Sequence, residues 1–201
     1  MTMSAQKKPL NKVVFDIETS NIFDEVGSND PTKLDISVVG VYDSSTNEYS
    51  AFEVEEFEKM WPIFENADML IGYNSNHFDI PLLNKYYPGD LTKIKSLDLL
   101  VEIKNSFGRR LRLETVAQAT LGEGKSGHGL EATKWWKEGK KDLVKKYCLD
   151  DVRITKEVYE YARKNKEIKY IDFGEERIIK LDTSHWENGE DTGAMTHTLP
   201  F

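Results

Sequence analysis

Two carboxylates stand two residues apart near the start of the sequence, at Asp16 and Glu18. Alternating apolar side chains over residues 13–19 predict a β-strand, and its period of two puts both carboxylates on one face. Two negative charges this close oppose each other's ionisation unless a cation lies between them. The pair therefore predicts a divalent metal site, with a strand whose polar face meets solvent as the alternative.

A third carboxylate, Asp79, lies where a predicted strand gives way to a predicted helix. Residues 68–73 are typical of a short buried strand, and the turn-forming residues 72–76 follow it. Residues 77–87 predict a helix, with Pro81 inside its first turns. Asp79 is then either a metal ligand or a carboxylate that stabilises the helix N-terminus.

The fourth carboxylate, Asp151, falls on the apolar stripe of a predicted amphipathic helix over residues 141–163, whereas Asp150 points to the opposite, solvated side. A carboxylate on the buried side is unfavourable unless it is paired or bound to a metal, so Asp151 needs a partner. Tyr147 lies one helical turn earlier on the same stripe. It is either part of the same site or a core aromatic residue.

These residues fall into three motifs that follow one another along the chain: Phe15-Asp16-Ile17-Glu18-Thr19, Asn74-Ser75-Asn76-His77-Phe78-Asp79 and Tyr147-Cys148-Leu149-Asp150-Asp151. In this order they resemble the DEDD superfamily of 3′-to-5′ exonucleases, in its tyrosine-bearing (DEDDy) branch. The chain most resembles the proofreading exonuclease domain of family B DNA polymerases, from about residue 12 to residue 162. The sister branch has a histidine five residues before the last aspartate, where this chain has Lys146.

The resemblance implies an α/β, ribonuclease H-like fold, in which a mixed central sheet is flanked by helices. It also implies hydrolysis of phosphodiester bonds at the 3′ end of single-stranded nucleic acid, with DNA favoured over RNA. The two-metal mechanism of such enzymes uses divalent cations about 3.5 to 4 Å apart. Oxygen ligands favour Mg²⁺ or Mn²⁺, and the implied ligands are Asp16, Glu18, Asp79 and Asp151.

Further roles are expected from the same resemblance. Tyr147 would complete the catalytic set by orienting the attacking water, since a phenol is a poor general base at neutral pH. Thr19, Asn74 and Phe78 match positions near the terminal nucleotide and are the expected substrate-binding residues. Asp98, between the second and third motifs, is expected to cap a helix or to serve the fold.

Two other functions stay open for the same fold. One is a non-catalytic nucleic-acid-binding or polymerase-associated module. The other is a 3′-5′ exoribonuclease, because the 2′ hydroxyl is recognised by contacts outside the three motifs. A proofreading role would require a polymerase or another replication or repair partner in trans, so a stand-alone enzyme is the simpler expectation.

The remaining elements follow from local patterns. Strands are predicted over residues 13–18, 36–42 and 48–54, the last two joined as a hairpin, and a helix over residues 55–66. A second hairpin is predicted between residues 169 and 181, around Gly174. The expected division is an N-terminal extension (1–11), one ribonuclease H-like exonuclease domain (12–181) and an acidic tail (182–201) that is flexible or a docking segment.

Charge is unevenly distributed along the 201 residues. The net charge is −8, yet residues 104–146 carry 11 Lys or Arg against 5 Asp or Glu. This basic stretch, which includes Trp135 and Trp136, is the expected contact to the nucleic-acid backbone, with solvated charge and core tryptophans as the alternative. Neither a signal peptide nor a membrane-spanning apolar run is evident, so a cytoplasmic protein is expected. The single cysteine, Cys148, is expected to be a packed thiol.

Overall fold

The computed structural model describes residues 9–123 and 129–188. The strands in this part of the chain are β1 (Lys12–Thr19), β2 (Ile36–Asp43), β3 (Glu48–Phe52), β4 (Met69–Gly72), β5 (Ser96–Asp98), β6 (Glu167–Asp172) and β7 (Glu175–Lys180). The helices are α1 (Phe23–Val26), α2 (Phe57–Glu65), α3 (Asp79–Asn84), α4 (Leu99–Phe107), α5 (Leu113–Leu121), α6 (Gly129–Lys137) and α7 (Lys141–Asn165). None of these helices combines the length and the apolar character needed to cross a bilayer.

Five strands form the central sheet, in the order β3-β2-β1-β4-β5. β1 pairs antiparallel with β2 and parallel with β4, and β4 pairs parallel with β5. The mixed sheet predicted from the sequence is therefore confirmed. The strand β5 was not predicted, and the predicted helix over residues 55–66 begins two residues later, because residues 54–56 form a 3₁₀ turn.

The two faces of the sheet carry separate apolar clusters. Val13, Phe15 and Ile17 of β1 pack with α2 and α3 on one face. Val14 faces the opposite way and packs with α4, α5 and α7. Because side chains alternate along a strand, Asp16 and Glu18 point to the face that α7 covers.

Helix α7 lies unusually close to the sheet at Gly40 of β2. A Cβ atom added to Gly40 would meet the Sγ atom of Cys148 at 2.9 Å and a methyl carbon of Val152 at 3.0 Å. Gly40 is also the residue directly opposite Asp16 in the antiparallel pair. The absence of a side chain at Gly40 therefore lets α7 approach the strand that carries the first two carboxylates.

Strands β6 and β7 form a separate hairpin that continues from the end of α7. The turn between them contains Phe173 and Gly174, both with positive φ. The predicted second hairpin is therefore confirmed. Its inner face, which includes Ile168 and Tyr170, joins the cluster under α5 and α7.

The chain after the hairpin packs against the domain as far as residue 188, so this part of the predicted tail is docked rather than flexible. Trp186 is 1% exposed, stacks on Tyr159 with ring centroids 5.8 Å apart and donates from Nε1 to Glu102 at 2.9 Å. Glu187 pairs with Lys12 at 2.7 Å and with Arg163 at 2.6 Å. The acidic composition of residues 182–201 did not indicate that Trp186 would anchor this segment to the domain. Residues 189–201 of the predicted tail, and residues 1–8 of the predicted extension, lie outside the described ranges.

Candidate active site

Three of the predicted carboxylates meet where α7 crosses β1. Asp16, Glu18 and Asp151 each offer a carboxylate oxygen, and these oxygens lie within 4.8 Å of one another. Glu18 is 7% exposed, Asp151 is 2% exposed and Asp16 is half-buried. Carboxylate oxygens this close together can bind a divalent cation.

The two adjacent aspartates of α7 lie in different surroundings. Asp151 belongs to the buried stripe of the helix, together with Val144, Cys148 and Val152. Asp150 faces outward and pairs with Arg153 at 3.1 Å. The prediction that only Asp151 turns toward the sheet is therefore confirmed.

Asp79 reaches the same region from the second motif. β4 runs parallel to β1, so the carboxyl ends of both strands meet at one edge of the sheet, and Asp79 begins α3 just beyond that edge. Burial raises the pKa of Asp79 to about 7, and the negative charge of Asp98 adds to this rise. Hydrogen bonds from its own backbone amide and from that of Ile17 favour the charged form and limit the rise.

One cavity of about 420 Å³ joins the four carboxylates. Of the predicted site residues, its walls include Asp16, Glu18, Thr19, Asn74, Phe78, Asp79 and Asp151. The cavity is thus lined by the end of β1, by the loop after β4 with the start of α3, and by the middle of α7.

Tyr147 is the predicted site residue that lies apart from this cavity wall. Its ring is 3% exposed and packs in a cluster with Val38 and Ala132, edge-on to Trp135 at a centroid distance of 6.0 Å. It stands one helical turn before Asp151 on the same face of α7. The expectation that Tyr147 orients water stays a prediction.

Cys148, the next residue, is fully buried, as a packed thiol should be. Its Sγ atom lies 3.3 Å from the backbone carbonyl oxygen of Asp16. Burial, with the negative charge of Asp16 as the next cause, holds the pKa of this thiol well above its ordinary value. The thiol therefore packs behind the carboxylate cluster as a neutral group.

The second motif is held in shape by Asp98. Its carboxylate accepts from the amide of Leu100 and so caps α4, as expected from the sequence. The same carboxylate accepts from the amides of Asn74 at 2.8 Å and Asn76 at 3.0 Å. Asn74 has a φ of +67°, a left-handed conformation that asparagine tolerates better than most residues. Asp98 therefore positions the loop that leads to Asp79.

The apolar wall of the cavity includes Ile22 and Phe23 at the start of α1, Phe78, and Leu130 of α6. Phe78 was expected from the sequence, whereas the other three residues were not. Phe23 and Phe78 meet edge to face at 6.2 Å, and Leu130 is 70% exposed. A cavity lined by both carboxylates and apolar side chains suits a nucleotide, because its phosphate can contact cations held by the carboxylates and its base can pack on the apolar wall.

Helix α6 closes the cavity at the end of β1. The hydroxyl of Thr133 donates to the backbone carbonyl of Thr19 at 3.0 Å, and Thr133 itself lines the cavity. No sequence signal marked Thr133 or Leu130, because α6 is rich in charged residues and lies between the second and third motifs.

The donor set fits hard divalent cations. All of its charged donors are carboxylate oxygens, and Mg²⁺ and Mn²⁺ prefer such ligands. Asp16, Glu18 and Asp151 are close enough together to share one ion. The chemical fit supports a divalent metal site.

The sheet order is β3-β2-β1-β4-β5, and the acidic cavity lies on its central strand and is completed by α7. This arrangement agrees with a nuclease-type fold. The chain belongs to the RNase_H superfamily, whose family model matches residues 13–163. All four carboxylates lie inside the matched region. Comparison with curated proteins gave no significant match.

Among solved structures, the chain is similar to the family B DNA polymerase from the hyperthermophilic archaeon Pyrobaculum calidifontis. The TM-score is 0.59 and the sequence identity is 24%. The similar region covers 79% of this chain and 25% of the polymerase, so the chain spans about a quarter of that protein. At this sequence identity, the similarity shows the fold alone.

Proposed function

We propose that this protein is a metal-dependent 3′-5′ exonuclease that hydrolyses phosphodiester bonds at the 3′ end of single-stranded nucleic acid. The observation that carries the proposal is the convergence of Asp16, Glu18 and Asp151 within 4.8 Å, in a cavity that Asp79 also lines. Carboxylates that converge in one cavity can hold the divalent cations that two-metal hydrolysis of a phosphodiester requires. A shared cavity large enough for a nucleotide supports the same role.

The four carboxylates would hold two divalent cations, Mg²⁺ or Mn²⁺. When bound, these ions supply Lewis acidity toward water and toward the phosphodiester oxygens. The carboxylates fix the position of the scissile phosphate by fixing the ions. Glu18, Asp79 and Asp151 are buried, and the low local dielectric strengthens electrostatic contacts to them.

The neighbouring side chains have roles in holding the substrate. Phe78, with the apolar wall around it, would contact the terminal base, and Thr19 and Asn74 would contact its sugar and phosphate. Tyr147 would orient the attacking water from its place one turn before Asp151. The similar structure is that of a DNA polymerase, so we favour DNA as the substrate. For the same reason we favour a polymerase or a repair protein as a partner in trans.

The direct test is hydrolysis of a 5′-labelled single strand by the purified protein with Mg²⁺ or Mn²⁺. We expect products that shorten from the 3′ end and a complete loss of activity in EDTA. Asp151→Ala should abolish turnover while the protein stays folded, whereas Asp150→Ala should have nearly wild-type activity because its side chain faces outward. Equal losses in the two variants would refute this assignment of the third motif.

Two further outcomes separate the alternatives. Binding of the strand without any hydrolysis in either metal would favour a non-catalytic module. Faster hydrolysis of a matched RNA strand than of the DNA strand would make the protein an exoribonuclease.

A further inference from the structure

The lysine-rich part of the basic stretch, from Lys134 to Lys145, is engaged in ion pairs within the fold. Lys137 pairs with Glu25, and Lys141 and Lys145 both pair with Glu53. Each exposed pair is weak by itself. Together they place the positive charge of α6 and the start of α7 against acidic side chains, so this part of the stretch is a poor candidate for a dedicated phosphate-binding surface.

The arginine part of the stretch has a different environment. Arg110 is exposed and donates from Nη2 to the side-chain oxygen of Asn74, which lines the cavity. The hydroxyl of Tyr73, another residue of the cavity wall, donates to the carbonyl of Leu111 at 2.9 Å. Across the described ranges, Arg110 forms no ion pair with a carboxylate. A guanidinium without a carboxylate partner thus stands at the rim of the acidic cavity.

Arg109 continues the same surface away from the cavity. Its guanidinium lies over the ring of Phe107, 4.7 Å from the centroid, and 5.7 Å from that of Tyr170. It also pairs with Asp172 at 3.3 Å, while its own side chain remains 57% exposed. Arg109 therefore connects the end of α4 to the β6–β7 hairpin.

The hairpin turn presents Phe173 entirely to solvent, with a relative exposure of 102%. Its φ is +50°, which is rare and unfavourable for a bulky residue. On the outer face of the hairpin, Ile171 and Ile178 are also exposed, at 46% and 53%. Phe173, Ile171 and Ile178 together form an exposed apolar patch on the hairpin, and such a patch is typical of a binding surface.

We propose that a single strand whose 3′ end occupies the cavity leaves it across Arg110 and Arg109 and stacks a base on Phe173. Arg110 gives the strand one phosphate contact. Arg109 gives a second, because its 3.3 Å pair with Asp172 is longer than the 2.7 Å pair of Lys145 with Glu53 and leaves the Arg109 side chain 57% exposed. An aromatic face follows, and this is the combination that binds single-stranded nucleic acids. It rests on the proposed function, because the cavity fixes the end of the strand. It also assigns a substrate-binding role to a hairpin that lies beyond the family-matched residues 13–163.

The test uses the full chain and a 5′-fluorescent oligothymidylate of about 12 nucleotides, a length within the range that such surfaces hold. Binding is followed by fluorescence anisotropy with Ca²⁺ in place of Mg²⁺ or Mn²⁺, since Ca²⁺ also takes oxygen ligands. A gel of each sample checks that the strand stays intact. The double variant Arg109→Gln/Arg110→Gln should reduce the slope of log affinity against log salt by about 1.4, or about 0.7 for each lost phosphate contact. The charge-matched control is Lys59→Gln/Lys93→Gln, which removes two lysines far along the chain from this surface.

Phe173 is tested separately, because it carries the stacking contact. Phe173→Ala should weaken binding about fivefold or more, and Phe173→Trp should preserve or tighten it. Phe173→Leu should resemble the alanine variant, since it retains apolar area and loses the ring. Hydrolysis of the p-nitrophenyl ester of thymidine 5′-phosphate with Mn²⁺ should be unchanged in all three, because so small a substrate does not reach the hairpin.

Equal salt slopes in the arginine and lysine double variants, or unchanged affinity in Phe173→Ala, would overturn the proposed path. A change in sedimentation of Phe173→Ala with unchanged affinity for the strand would instead make the hairpin a protein-binding surface. If the unaltered protein hydrolyses neither the strand nor the ester, the exonuclease proposal itself fails. Hydrolysis of both, with variants that bind as well as the parent, contradicts only the path.

Discussion

The closest approach between α7 and the sheet offers a sharp test of how the carboxylates are brought together. Gly40→Ala adds one methyl group that would lie 2.9 Å from the Sγ atom of Cys148, 3.0 Å from a methyl carbon of Val152 and 3.2 Å from the Cys148 carbonyl oxygen. One of these atoms belongs to the helix backbone. A change of side-chain rotamer therefore relieves only part of the overlap, and the helix itself has to move.

The size of that movement follows from the distances. Ordinary contact begins at 3.4 Å, so at Cys148, three residues before Asp151, the Sγ atom has to move by about 0.5 Å and the helix backbone by about 0.2 Å. Overpacking of this kind costs about 1–3 kcal/mol, and replacing a strand glycine by alanine returns about 0.5–1 kcal/mol. We expect the free energy of unfolding to fall by about 1–2 kcal/mol. Catalytic geometry is more sensitive, and we expect activity to fall by a factor of about 10–100.

The assay combines urea denaturation with hydrolysis of a labelled single strand in Mn²⁺. Cys148→Ala removes the shortest of the three contacts and serves as the matched partner. In the double variant Gly40→Ala/Cys148→Ala, the loss of stability should be smaller than the sum of the single losses by at least about 0.5 kcal/mol, since the two residues are in contact. Activity should recover partly in the same variant.

A Gly40→Ala protein with unchanged stability and unchanged activity would refute the idea that this glycine sets the position of α7. Lost stability with full activity would show that the helix moves without disturbing Asp151. Either result would require another explanation for the close approach of the helix.

Four further outcomes are expected. Mn²⁺ at about 100 times its Kd should raise the free energy of unfolding by about 2.7 kcal/mol, and Asp151→Asn should lose most of this gain in a thermal melt. Tyr147→Phe should slow hydrolysis while leaving Mn²⁺ affinity unchanged in calorimetry, and an unchanged rate would make the residue a packing group. Asp98→Ala should lower the free energy of unfolding by about 2–4 kcal/mol in urea, because a helix cap and two amide contacts are lost together, and a loss near 1 kcal/mol would show that capping alone matters. Trp186→Ala should lower it by about 3–5 kcal/mol with activity retained under stable conditions, and a negligible loss would contradict the docking of residues 182–188.

The sequence predicted the parts of the site that depend on strand and helix periodicity. Asp16 and Glu18 share a face because strand side chains alternate, and Asp151 turns inward because its helix has a single apolar stripe. The same reasoning placed Asp150 outside, where it pairs with Arg153. These are local rules, and they held because the first and third motifs each lie within one regular element.

Features set by contacts between distant segments were not predictable in this way. Strand β5 has only three residues, too few for a period to show, and it forms because β4 offers a parallel edge. Leu130 and Thr133 line the cavity because α6 packs on β1. The sequence did not indicate this packing, because α6 contains many charged residues. Trp186 lies in an acidic segment whose composition is typical of disorder, although one buried indole is enough to anchor it.

The basic stretch shows the limit of counting charge. A local excess of six positive charges predicted a phosphate-binding region, and the sequence could not tell which of its members face acidic side chains. In the structure the lysines of α6 and α7 meet Glu25 and Glu53, and Arg110 meets an amide. Tertiary contacts decide which basic side chains are paired with acidic ones. The proposed nucleic-acid-binding surface therefore contains only Arg109 and Arg110 of the basic stretch.

Because Trp186 packs against the domain, the folded unit extends beyond residue 163, where the family match ends. A fragment ending at residue 163 would expose one face of the Tyr159 ring, because Trp186 would be absent. Lys12 and Arg163 would also lose their ion pairs with Glu187. Because Lys12 begins the central strand, the last described residues fasten the first strand to the last helix. Anyone who shortens this protein for crystallisation should therefore keep the chain through residue 188.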